Sequence, residues 1–250
     1  MDTAVYQSYV DILHEELVPA MGCTEPIAVA YAGALARETL DCTPETVLLC
    51  VSGNIIKNVK SVIVPHTGGR KGLKTAVAAG ICFGRADRLL EVIADGTNEQ
   101  LSEMDDFLAQ TDITVTRSQL ACPFDLQVTL TAGGHSAYVH IVGKHTNVVQ
   151  ILRDGKTLLE KPYTEESAQP PENRKLLNIR DIIAFANEAD LRDVEAPLRR
   201  QMEYNLAIAK AGLTGKYGAA IGTILLESYG TSVQNRAKAW AAAGSDARMN

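Results

Sequence analysis

Apolar residues at Val5, Tyr9, Ile12, Leu13 and Leu17 recur at helical spacing, with His14, Glu15 and Glu16 beside them. The pattern predicts a helix from Val5 to Val18, which Pro19 interrupts. Gly22-Cys23-Thr24-Glu25-Pro26 then breaks the chain before a second predicted helix, Ile27 to Thr39, with Thr24 as its N-cap and Pro26 in its first turn. Ala28, Ala30, Ala32, Gly33, Ala34 and Ala36 place small side chains on nearly every side of it, the mark of a central helix that neighbouring backbone approaches closely. Thr46 to Val51 reads as a buried strand and Ser61 to Val64 as a second, short one. Polar, glycine-containing loops are expected at Ser52 to Asn58 and at Pro65 to Gly69. A helix from about Leu73 to Cys82, a short apolar stretch from Leu89 to Ile93 and a helix from Thr97 to Gln110 follow. Glu99, Glu103, Asp105 and Asp106 give the last of these an acidic face.

The period changes at Asp112. Ile113 and Val115, then Leu126, Val128 and Leu130, then Ala137, Val139 and Ile141 alternate with polar residues, as half-buried strands do. Gly133-Gly134 and Asp154-Gly155 supply hairpin turns, the latter between Val148–Leu152 and Thr157–Leu159. Glu165 to Glu172, with Pro170-Pro171, reads as a surface linker. From Ile179 the pattern is helical, with Gly212, Gly215 and Gly218 punctuating a turn. Ala237 to Ala243 is strongly helical, and Gly244 to Asn250 reads as a polar turn. The fold class is therefore α+β: an alanine-rich helical domain with an inserted antiparallel β subdomain. Its parts are 1–111, helical and mixed with anion-binding loops; 112–165, antiparallel β; and 166–250, helical.

Acidic residues outnumber basic ones by 30 to 24 in 250 residues, a net charge of −6, which gives no basic face for nucleic acid. With 46% hydrophobic residues the chain is not disordered, and with 5% aromatics its apolar content is aliphatic. No basic segment followed by an apolar run opens it, and no stretch approaches a membrane span. The five cysteines, at 23, 42, 50, 82 and 122, are scattered. The expectation is a soluble cytoplasmic protein with no nucleic-acid or membrane partner.

Cys23 precedes a helix N-terminus, where positive potential lowers a thiol pKa and favours a nucleophile, metal ligand or base. A small buried hydrophobe is the alternative for the same residue. Glycines, hydroxyls and a lysine in the loops 52–58 and 65–69 suit a carboxylate or phosphate, and the second loop leads into a helix N-terminus. A turn without function is the alternative there. His135 and His140 read as solvent-facing strand histidines, whereas His145 falls in a polar turn after a strand. Zinc spacings, Cys-x-x-Cys, Gly-x-Ser-x-Gly, Gly-x-Gly-x-x-Gly and the P-loop pattern are absent from the sequence. These residues alone point to an enzyme acting on a small anionic molecule with a reactive thiol.

Five motifs in order, Gly22-Cys23-Thr24-Glu25-Pro26, Ser52-Gly53-Asn54 through Lys57-Asn58, Val64-Pro65-His66-Thr67-Gly68, Ile141 through Asn147, and Ser245-Asp246-Ala247-Arg248-Met249, resemble the L-cysteine desulfidase family. That family is related to the α chain of iron–sulfur L-serine dehydratases. The resemblance implies a pyridoxal-independent lyase that converts L-cysteine to pyruvate, ammonia and hydrogen sulfide with a [4Fe–4S] cluster as Lewis acid. It implies Cys23 as the base for the α-proton. Ser52, Gly53 and Asn54 with Thr67, Gly68 and Gly69 become holders of the substrate carboxylate, and Lys57, Asn58, His145, Asp246 and Arg248 lie near the site. L-Serine as substrate, and a non-catalytic module binding small anions, are the alternatives.

Family members are longer, and their cluster ligands lie beyond the Ser-Asp-Ala-Arg-Met motif. Cys42, Cys50, Cys82 and Cys122 match no family ligand, so this chain reads as an N-terminal portion with no metal ligands, no cluster and no lyase activity of its own. A small amino acid is the expected substrate. Apolar helix faces left uncovered by a truncation would favour a homo-oligomer.

Overall fold

The computed structural model describes residues 1–20, 22–163 and 172–248. In chain order its elements are α1 (Thr3–Glu16), α2 (Thr24–Leu40), β1 (Thr46–Val51), α3 (Gly53–Val59), α4 (Gly72–Phe83), a 3-10 turn (Ala86–Glu91), α5 (Asn98–Gln110), β2 (Asp112–Arg117), β3 (Asp125–Ala132), β4 (His135–Val142), β5 (Val148–Arg153), β6 (Lys156–Glu160), α6 (Glu172–Lys175), α7 (Ile179–Glu188), α8 (Leu191–Thr214), α9 (Ile221–Tyr229) and α10 (Val233–Arg248). They form two compact units, residues 20–163 and residues 1–19 with 172–248. The architecture is α+β, a largely helical framework carrying an inserted sheet.

In the 20–163 unit, α2 is buried along almost its whole length, as its small residues dictate. Its backbone lies against that of α4. A Cβ added at Gly80 would sit 1.9 Å from the Ala30 carbonyl oxygen, and one at Gly33 would sit 2.7 Å from that of Val77. On its other side α2 covers one face of a six-stranded sheet ordered β2-β1-β3-β4-β5-β6. Leu126, Val128 and Leu130, Val139 and Ile141, and Val47, Leu49 and Val51 supply that face and are fully buried. The opposite face carries Cys50, Gln127, Thr129, Tyr138 and His140, all partly exposed.

The sheet is antiparallel except for the β1–β2 pair, which is parallel. Parallel neighbours need a long crossover, and α3, α4 and α5 provide it. Because β1 lies between β2 and β3, the sheet reaches back before residue 112. Alternation along β2 to β5 could not reveal β1 as a member, since Leu48 and Cys50 at its outward positions make it read as an apolar run.

The other unit packs α1 with α7 and α8 around Tyr9, Val10, Phe185 and Val194. The Tyr9 and Phe185 rings meet edge to face at 5.4 Å. Small residues seam its last helices together: Gly212 lies against the Ala243 carbonyl and Gly222 against that of Ala239. No helix among the described residues is long and apolar enough to cross a membrane.

Several local expectations are corrected. Cys23, not Thr24, holds the N-cap position of α2, with extended backbone at φ −66° and ψ 119°. Ser52 to Asn58 is not a loop: Ser52 caps α3, a short helix too polar to show an apolar stripe. Ser61 to Val64 forms no strand, only an isolated bridge between Ile63 and Lys71. Gly212 is inside α8, with Gly215 at its C-terminal cap. Gly244 to Arg248 continues α10 rather than turning. Most of the linker expected at Glu165 to Glu172, and Met249-Asn250, lie outside the described residues.

Candidate functional site

Gly22, at φ 120°, turns the chain into the α2 N-terminus. Cys23 has no capping bond of its own. Its Sγ–H donates to Glu25 Oε2 at 3.3 Å, in the first turn of the helix. From α3, Asn58 Nδ2 donates to the other oxygen, Oε1, at 3.2 Å. Burial pushes the Glu25 carboxyl up, but the Cys23 thiol, its own backbone N–H, the Asn58 amide and the charge of His145 together hold it below the ordinary range.

Cys23 shows the reverse of the expected activation. Burial first, then the bond to Glu25 and its negative charge, push the thiol up to about 11. The backbone N–H at Glu25 pulls the other way and is outweighed. The positive end of the helix is answered by an acid placed in the first turn. The resting form is therefore a thiol held by a carboxylate.

His145 enters from the turn between β4 and β5. Asn147 Nδ2 fixes that turn by donating to the Val142 carbonyl at 2.9 Å. The imidazole lies 4.6 Å from the Phe124 ring, centroid to centroid. Burial lowers its pKa against the opposing pull of Glu25. The segment before β3 is stitched to the same turn: Gly143 N–H donates to the Phe124 carbonyl at 2.9 Å. Cys122 Sγ–H donates to that carbonyl at 3.2 Å, and the Tyr163 hydroxyl donates to Cys122 Sγ at 3.2 Å.

Cys23 and Asn58, from two motifs far apart in the chain, thus both bond Glu25, and His145, from a third, acts on it through charge. Glu25 was not among the candidates. Its signal was an acid two residues after a cysteine, in the first turn of a helix.

The remaining candidates divide. The buried Ser52 hydroxyl donates to the Pro123 carbonyl at 2.8 Å and accepts from Ile55 N–H at 3.5 Å, so both its roles lie within the fold. Gly53, Asn54 and Lys57 lie exposed on α3, with the Arg117 guanidinium 3.5 Å from where a Gly53 Cβ would stand. Thr67 is fully buried, and its hydroxyl bonds the Val64 and Arg70 carbonyls, closing the 64–70 turn on itself. Gly68 and Gly69 supply the left-handed backbone of that turn, at φ 65° and 87°. Arg70 ties it to Asp105.

Asp246 and Arg248 belong to the other unit. Asp246 Oδ2 accepts from Ile221 N–H at 3.0 Å and so caps α9, whose own cap residue, Ala220, has no side chain for the purpose. Arg248 borders a cavity of about 570 Å³ between α8 and α10, with Met202, Leu206 and Trp240.

A second polar cluster was missed because its members alternate along strands. Asp125 is fully buried at the start of β3 and bonds His140 Nε2 at 2.6 Å and Gln127 Nε2 at 3.0 Å. His140 is therefore a paired, half-buried ring rather than a solvent-facing one. Among the described residues, no group of three or more His, Cys, Asp or Glu side chains could hold a metal ion. The residues described do not fit an iron–sulfur cluster.

No family model matches the chain, and no solved structure matches it. Curated relatives do. It is 47% identical over 245 residues to a UPF0597 protein of Desulfitobacterium hafniense, covering 98% of this chain and 57% of that protein. It is 42% identical to one from Lachnoclostridium phytofermentans, over 98% of this chain and 59% of the relative. A third, from Treponema denticola, is 38% identical over 100% of this chain and 59% of the relative. The chain is a homologue of the UPF0597 proteins. It spans less than two thirds of the length of these relatives. The homology takes in Cys23, Glu25, Asn58 and His145 together, since it runs over nearly the whole of this UPF0597-like chain.

Proposed function

We propose that this chain carries the proton-transfer and substrate-orienting part of a pyridoxal-independent lyase resembling L-cysteine desulfidase, within the serine-dehydratase-like superfamily. L-Cysteine would yield pyruvate, ammonia and hydrogen sulfide, with Cys23 as the base for the α-proton. The observation that carries this reading is the pair of bonds that Cys23 and Asn58 make to the two oxygens of the Glu25 carboxylate.

β-Elimination needs a weakly acidic α-proton removed by a group held in place. The bond to Glu25 fixes the direction of Sγ, which a free thiol on a rotating side chain lacks. Asn58 fixes Glu25 in turn. His145, kept toward its neutral form by burial, adds no fixed cation to compete for the carboxylate. Gly53, Asn54 and Lys57, exposed on the helix that delivers Asn58, are the partners this reading gives the substrate carboxylate. Any [4Fe–4S] cluster belongs to the resemblance, and the residues described here supply no ligand set for it.

The test is a chimera in which this chain replaces the matched stretch of the Desulfitobacterium relative, assayed for pyruvate with L-cysteine and L-serine and for sulfide with L-cysteine. A positioned general base contributes roughly 10²–10⁴-fold to rate. Cys23→Ala is expected to lower kcat by about that factor with either substrate. Full turnover in Cys23→Ala would remove Cys23 from the role, and the ratio of kcat/KM for the two amino acids decides between thiol and hydroxyl as leaving group.

A further inference from the structure

We propose that Glu25 receives the substrate's α-ammonium group, and that docking of this cation is what frees the Cys23 sulfur to act as a base. The inference rests on the lyase reading above and adds how the site recognises a free amino group.

Glu25 is a half-buried carboxylate whose known donors are all neutral: the Cys23 thiol, the Asn58 amide and its own backbone N–H. A carboxylate partly withdrawn from water gains from a cation beside it. Among the described residues, no ion pair includes Glu25. The titratable groups that influence it are Cys23, on its own helix, and His145, from the β4–β5 turn. The first is neutral at rest, and burial presses the second toward neutrality. Lys57, on α3, is turned to solvent.

A carboxylate accepts about four hydrogen bonds, so three donors leave room for one more. The missing partner is thus a compact cation with N–H donors. A primary ammonium fits, and in an α-amino acid it is attached to the carbon whose proton must be taken. A group seated on Oε2 would bring that carbon to the side on which Sγ lies, 3.3 Å away.

The same seat controls the base. After burial, the bond and charge of Glu25 are what hold the proton on Cys23. An ammonium on the carboxylate competes for Oε2 and offsets its charge. The S–H bond can then break, with the proton passing to water. The thiolate next takes the α-proton, and the electron pair of the broken Cα–H bond stays on carbon. Without an amino group the sulfur remains a thiol, so the free site keeps no idle nucleophile.

The experiment follows alkylation of Cys23 in this 250-residue chain by iodoacetamide, resolved from the other cysteines by peptide mass spectrometry. Alkylation rate tracks the thiolate fraction, and a tenfold change corresponds to one pH unit in the thiol titration. At mildly alkaline pH, saturating L-serine and ethanolamine are each expected to accelerate Cys23 alkylation about tenfold. 3-Hydroxypropionate, which has no ammonium, should leave the rate unchanged. Glu25→Gln should react faster than the parent without ligand and show no response to L-serine, whereas Glu25→Asp should keep the response.

An unchanged rate with L-serine in the unsubstituted chain would overturn the proposal without any variant. So would an equal acceleration by 3-hydroxypropionate. Failure of the lyase reading registers elsewhere, as chimera turnover that survives Cys23→Ala, and leaves the alkylation response intact.

Discussion

Asp125 has no exposed surface, yet it stays ionised because of what surrounds it. Burial pushes its carboxyl up, and the bonds from His140, Ser118 and Gln127 outweigh that and hold it below the ordinary carboxylate range. Its folded pKa therefore lies below the unfolded value of about 3.9. The stabilisation is fully present above that unfolded value and is lost as pH falls through the folded one. Asp125→Asn keeps the shape but loses the charge and turns one acceptor oxygen into a donor, so a cost of about 1–3 kcal/mol at neutral pH is expected. The variant should also lose stability less steeply on acidification. Urea midpoints taken over a pH series check both statements, and an unchanged acid limb would remove Asp125 as its source. Neither this carboxylate nor Glu25 stood out in the sequence. A single acid at a strand start or in a first turn is ordinary, and only tertiary pairing makes it special. Cys23 did stand out, but its position at a helix start implies a lowered pKa, and burial first, then the Glu25 side chain, reverse the sign.

At the scale of elements, the legible ones were those whose burial follows a simple period. α2 and α4 showed as small, apolar runs, and the hairpins at Gly133-Gly134 and Asp154-Gly155 as turn signals between alternating strands. α5 showed as a helix with an acidic face, to which the structure adds a capping box between Thr97 and Gln100. α3 did not, because seven residues with Asn54, Lys57 and Asn58 give no stripe, and its start is fixed by Ser52 bonding the segment before β3. The membership of β1 in the sheet was equally hidden. The α2–α4 crossing is the element-level feature most exposed to a single change. At Gly80 a methyl group would meet the Ala30 carbonyl at 1.9 Å, and backbone on both sides leaves nothing flexible to yield. Gly80→Ala should therefore cost at least about 1–3 kcal/mol, the range for overpacking, despite the better helix propensity of alanine. A denaturant midpoint equal to that of the parent would mean the two helices separate without penalty.

Across the whole molecule, burial is distributed unevenly. In the 20–163 unit α2, α4 and the inner face of the sheet form one continuous core of fully buried side chains. Among the described residues of the other unit, the buried hydrophobic residues are Tyr9, Val10, Phe185, Val194, Ala209, Ala239, Ala243 and Ala247. Half of these are alanines, each contributing little apolar area. The same unit leaves Ile179, Leu191, Met202, Ile224, Tyr229 and Val233 exposed. Units with few buried apolar contacts open at lower free energy than well-buried ones. Trp240, the chain's only tryptophan, lies half-buried between α8 and α10 and so reports on the less buried unit alone. Ellipticity at peptide wavelengths reports on both. In a urea titration the fluorescence of Trp240 should change at lower denaturant than the main loss of ellipticity, giving two transitions where a single cooperative domain gives coincident ones. Hydrogen exchange should then place the early-opening amides in α8, α9 and α10 and the late ones in α2, α4, β3 and β4. Coincident transitions with uniform protection would show instead that the sparse contacts of the helical unit suffice to keep it folded until the sheet unfolds.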